Sequence, residues 1–72
     1  MFRSHLATAL HFYDRGAVVR ARVHVDRALL LADEQQHEQH AAELLDVKGT
    51  RPARAAAAAL RAVLEQVDAV AV

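Results

Sequence analysis

The sequence predicts an all-α protein of four short helices, arranged as two stacked helical hairpins, and three observations carry that expectation. The apolar content comes from Ala, Leu and Val, with Phe2, Phe12 and Tyr13 the only aromatics. Helix breakers are scarce, since Gly16, Gly49 and Pro52 are the only glycines and proline in 72 residues. Apolar residues recur every three or four positions through most of the chain, the period of an amphipathic helix.

The first element runs from about Phe2 to Arg15. Phe2, Leu6, Ala9, Leu10 and Tyr13 fall on one face, with Arg3, Ser4 and Thr8 off it. Gly16 then suits a helix end, because glycine takes the left-handed conformation without a Cβ clash. The second element, about Ala17 to Ala32, buries a stripe of Val18, Ala21, Val25, Ala28, Leu29 and Ala32. It also carries a second, weaker stripe of Val19, Val23 and Leu30, as expected of a helix that is central or faces a partner.

The run Asp33–His40 is polar on every face and contains no breaker. Two readings follow. In one, the chain turns near Asp33, which caps a third helix. In the other, elements two and three form one long central helix of a three-helix bundle. The turn is favoured, because globular helices rarely exceed 25 residues without caps. The third element carries Ala41, Ala42, Leu44, Leu45 and Val47 and ends at Lys48-Gly49. Thr50 and Pro52 suit a helix start, a capping hydroxyl followed by a proline tolerated in the first turn. The fourth element, about Pro52 to Ala69, turns Ala53, Ala56, Ala57, Leu60, Val63, Leu64, Val67 and Val70 to one side. Val70, Ala71 and Val72 are expected to fray unless docked.

A chain this short is one domain, 1–72, with hairpin one over about 2–32 and hairpin two over about 33–70. A fold of this size buries only about 60% of the surface its unfolded form exposes. The absence of cysteine excludes a disulfide framework and cysteine-based zinc sites. Small folds without such staples rely on idealised helix packing or on self-association. A formal charge of zero gives no general field for nucleic acid and weakens solubility, so a face covered by a partner is expected. The first residues lack the apolar core of a signal peptide, and charges interrupt the Ala-rich tail, so a cytoplasmic location is expected. Arg outnumbers Lys eight to one, which with the alanine excess suggests a GC-rich bacterial gene.

A shift of about 33–34 residues, the tetratricopeptide period, lays Gly16 on Gly49, Ala21 on Ala55, Val25 on Ala59 and Ala28 on Ala62. Ala9 then falls near Ala42 and Phe12 near Leu45. On Ala9, Phe12-Tyr13, Gly16, Val18, Ala21, Val25, Ala28-Leu29 and Leu31, the first half resembles a tetratricopeptide repeat. Departures are His5 at the usual early Trp, Thr8-Ala9 at the Leu-Gly pair and Asp33 at the closing proline. The resemblance implies stacked hairpins that serve protein–protein contact. Since at least three repeats are normally needed for stability, a homodimer carrying four is expected.

Glu34, His37 and His40, with Glu38 beside them, form the one cluster with metal-ligand chemistry. A Glu-x-x-His pair on a helix matches one part of a carboxylate-bridged metal site. The further Glu-x-x-His and Glu residues that such a site needs are missing from the chain. A solvated helix start is the preferred reading, with a metal-binding bundle as the alternative and no cofactor expected. Ser4 is the only serine, and no glycine-rich loop is present to cradle phosphate, so no enzyme is expected. Arg15, Arg20, Arg22 and Arg27 make the first hairpin basic and Asp33 to Asp46 is acidic. Those charges are expected to pair between elements two and three, and a role as a nucleic-acid helper is the weaker alternative.

The fourth element opposes its own dipole, with Arg51 and Arg54 at its start and Glu65 and Asp68 at its end. An antiparallel partner helix would answer those charges, and the small residues of 55–59 would admit close approach. The expected function is therefore a small, self-associating protein-interaction module. Its surface is expected to comprise Val19, Val23, Leu30, Arg51, Arg54, Ala58, Arg61 and Glu65, with no membrane contact.

Overall fold

A computed structural model of the chain describes residues 1–35 and 37–70, the side chain of Val70 excepted. Gln36 of the polar run, Ala71, Val72 and the Val70 position of the fourth stripe lie outside that description. The elements are α1 (Phe2–Asp14), α2 (Val18–Glu34), one 3-10 turn (Glu38–His40), α3 (Ala41–Gly49) and α4 (Ala53–Val70). No strand occurs among the described residues. The protein is all-α, two helical hairpins packed on one another.

Each connection has a local cause. Gly16 adopts φ +77°, and two bonds close the end of α1. The Gly16 N–H donates to the Tyr13 carbonyl at 3.0 Å and the Ala17 N–H to the Phe12 carbonyl at 2.9 Å, a Schellman turn. At the end of α2, the His37 N–H donates to the Ala32 carbonyl at 2.7 Å. The chain therefore turns between α2 and the 3-10 segment, which rules out one long central rod. The turn comes later than the sequence suggests. Asp33 sits inside the last turn of α2, and no side chain caps the 3-10 turn or α3. Thr50 also acts backwards: its hydroxyl donates to the Asp46 carbonyl at 2.7 Å, closing α3 rather than starting α4. The first turn of α4 is fixed instead by the Ala56 N–H donating to the Pro52 carbonyl at 3.0 Å.

All four helices supply the core. Leu6, Val25, Leu44 and Leu60 are wholly buried, and so are Ala9, Ala21, Ala28 and Ala56, small residues that let helix backbones approach. Helix α1 packs along both α2 and α4, while α3 bridges α2 and α4. The two hairpins thus close into a ring of four helices around one core. Leu45 departs from the expected stripe and is 57% exposed. Leu45 lies about 100° round the helix from Leu44, and Leu44 takes the core position.

Candidate interaction surface

Helix α2 is buried along Ala21, Val25, Ala28 and Ala32. At 100° per residue, Val19, Val23 and Leu30 fall on the opposite side. Val19 and Leu30 are each 78% exposed and Val23 is 44% exposed. The weaker stripe read from the sequence is therefore a solvent-facing apolar line along the helix. Val19, Val23, position 26, Leu30 and position 33 alternate by four and three residues, the spacing of a helix–helix seam.

Four of the six charged residues of α2 flank that line, and the other two, Asp26 and Asp33, lie on it. Arg20 and Arg22 lie near its N-terminus, Asp26 and Arg27 at its middle, and Asp33 and Glu34 at its C-terminus. Along one flank, α3 is tied to α2. The Lys48 ammonium meets Asp26 at 2.6 Å, and Arg22 Nε donates to the Lys48 carbonyl at 3.1 Å. The expected pairing of α2 cations with the acidic run is thus replaced by a pair of opposite polarity, an α2 carboxylate with an α3 cation. Leu45 lies at the basic end of this flank, in a hollow it shares with Arg22, Lys48, Gly49 and Arg51. Leu30 lies at the acidic end, in a hollow with Leu29, Ala32, Asp33, Glu38 and Ala41.

The α4 residues behave differently. One of their four end charges, Asp68, is answered by α1 of the same chain, which lies antiparallel. The Arg3 guanidinium binds Asp68 through two hydrogen bonds, and its hydrogen bond and charge hold the Asp68 carboxyl below the ordinary carboxylate range. Arg61 donates to both carboxylate oxygens of Asp14, at 3.1 and 3.0 Å. Helix α1 is charged against its dipole as well, with Arg3 in its first turn and Asp14 in its last. Arg3 and Asp68 therefore offset each other's unfavourable positions, while Arg61, which answers Asp14, lies in the middle of α4. The signal was present in Arg3 and Asp14 but unread in the sequence. Arg51, Arg54, Ala58 and Glu65 are exposed and lie outside α2.

The histidines are brought into pairs. His37 stacks on Phe2 with ring centroids 4.3 Å apart, and the Phe2 N–H donates to Gln35 Oε1 at 3.2 Å. His40 is buried, with its Nδ1 3.6 Å from Glu43. Glu34 is exposed at the end of α2. Among the described residues, no group of three or more His, Asp or Glu side chains is placed to hold a metal ion.

His5 and His24 meet across the first hairpin, Nδ1 to Nδ1 at 3.2 Å, and His24 also stacks against Phe12. Such a contact requires one nitrogen to donate and the other to accept, so it is lost once both rings are protonated. Burial, then Arg27 and His5, hold the His24 pKa below its ordinary 6.5. The unfolded chain therefore takes up the proton first. The stability His24 contributes is present above its ordinary 6.5 and is lost as pH falls below that value through its lowered folded pKa. Urea denaturation at pH 7.5 and 5.5 should show the lower midpoint at pH 5.5, and His24→Phe should flatten the difference.

Among the described residues, no helix is long and apolar enough to cross a membrane. Compared with known proteins, the chain matches no family model, no curated protein and no solved structure.

Proposed function

We propose that this chain is a small protein-interaction module, with no catalytic activity of its own, whose contact surface is the outward face of α2. The observation that carries this reading is the line of Val19, Val23 and Leu30. Single exposed apolar residues are ordinary on any protein surface. Three on one helix face, at seam spacing and flanked by charge on both sides, form the apolar centre and polar rim of a contact patch. The Schellman turn at Gly16 and the buried Ala9, Ala21 and Ala28 support a tetratricopeptide-like first hairpin, which is a protein-binding scaffold in that family.

The test is a photo-crosslinking residue placed at Leu30 in producing cells, with the exposed Gln66 of α4 as the control site. Discrete protein adducts at position 30 and none at 66 are expected. Absence of any adduct at 30 overturns the reading.

A further inference from the structure

We infer that the occupant of this α2 face is a second copy of the same chain, docked antiparallel about a two-fold axis near Arg27. The inference rests on the interaction-module reading above and names its partner.

The observation is the order of charge along α2. From Arg20 to Glu34 the six charges read plus, plus, minus, plus, minus, minus. Read from the other end, the order is minus, minus, plus, minus, plus, plus, opposite at every place. A helix with that order meets its own reversed copy with opposite signs at both ends, whereas a parallel copy would meet like signs throughout. A two-fold axis is the operation that generates the reversed copy, and it makes each contact occur twice.

Helix geometry carries the match into three dimensions. With the axis near Arg27, Arg20 lies opposite Glu34 of the second copy and Arg22 opposite its Asp33. Each member of a pair falls on the same side of the seam's midline, as a two-fold axis requires. Val23 lies opposite Leu30 of the second copy, so these two cover each other, while Val19 lies opposite Gln35 at the end of the helix. At the centre, Asp26 already holds Lys48 of its own chain at 2.6 Å. It therefore enters the seam neutralised, while Arg27, nearest the axis, lies opposite Arg27 of the second copy, the one like-charged contact of the arrangement.

Size sets the strength. The broadest face of the molecule measures 29 × 21 Å, and one helix pair covers only part of it. A standard stable interface buries about 800 Å² per partner. The self-complex therefore falls among the small, weak interfaces. This surface is separate from the α1–α4 ion pairs, which the chain satisfies internally.

Sedimentation equilibrium on the purified chain tests the inference. One end of the seam is reversed in R20E/R22E and the other in D33R/E34R. Each variant alone meets its own copy with like charges, and is expected to self-associate at least tenfold more weakly than the wild type. An equimolar mixture restores opposite signs at both ends. It is expected to form a mixed dimer within about threefold of the wild-type affinity. Circular dichroism verifies that each variant is folded. Leu30→Asp, at a site 78% exposed, should leave the fold intact and abolish the dimer.

A wild-type chain that stays monomeric at millimolar concentration overturns the inference. So does a mixture that binds no better than either variant alone. Failure of the broader reading looks different. A crosslinked adduct at Leu30 with the mass of another protein removes the second copy and keeps the contact face, while no adduct at all removes both.

Discussion

Leu60→Ala is expected to lower stability by about 2–5 kcal/mol, the range for emptying a leucine site in a packed core. Leu60 is wholly buried near the middle of α4, the helix that both α1 and α3 pack against. A chain of 72 residues has a total stability of roughly 4–11 kcal/mol at typical values per residue. One such cavity therefore removes a large fraction of it. No disulfide holds the remainder together. Urea denaturation followed by circular dichroism should show the midpoint falling by at least about a fifth. A shift equivalent to under 1 kcal/mol would mean that α4 is not central to the core.

Ala21→Leu is the second large effect, and it acts in the opposite sense, by adding volume. Ala21 lies on the buried face of α2 and is wholly buried, as are Ala9 of α1 and Ala28 one helical stripe further on. The first hairpin is closed by only three residues, Arg15 to Ala17, so its helices have little freedom to separate. Three extra carbon atoms at that contact should cost about 1–3 kcal/mol. Ala62→Leu provides the control: Ala62 is exposed on α4, and the change there should be nearly neutral. Thermal melting of both variants checks the pair, and equal melting temperatures would contradict the close packing of α1 on α2.

The first hairpin was the more legible half of the chain because its signals are local. Gly16 takes the positive φ that its place in the sequence required, and the stripes of α1 and α2 fall on the core as their spacing indicates. The second hairpin was harder to read. No side chain caps α3, and the turn after α2 is closed by the backbone bond from His37 to Ala32, which leaves no trace in composition. Thr50 has the chemistry of a helix start, yet its hydroxyl finds the Asp46 carbonyl behind it. A hydroxyl between two helices can satisfy either end, and only the backbone path decides.

The surface divides in the same way. Val19, Val23 and Leu30 were legible as a second stripe, because a helix with one buried face leaves its opposite face to solvent. The destination of the α4 charges was not, because Arg3 and Asp14 lie about 50 residues or more from Asp68 and Arg61 (65 and 47). Nothing local links them. Charge order along α2 belongs to an intermediate class. It is visible in the sequence, but it becomes informative only once Arg20, Arg27, Asp33 and Glu34 are seen to lie along an open face.

The most direct measurement is an isotope-filtered nuclear Overhauser experiment on a sample mixed from labelled and unlabelled chains at millimolar concentration. Val23 and Leu30 are seven residues apart on one helix, roughly 10 Å at 1.5 Å per residue, and their methyl groups lie beyond the reach of a strong effect within one chain. The docked arrangement predicts intermolecular cross-peaks between the Val23 methyls of one copy and the Leu30 methyls of the other. Intermolecular cross-peaks confined to residues of α4, or none at all, would contradict it.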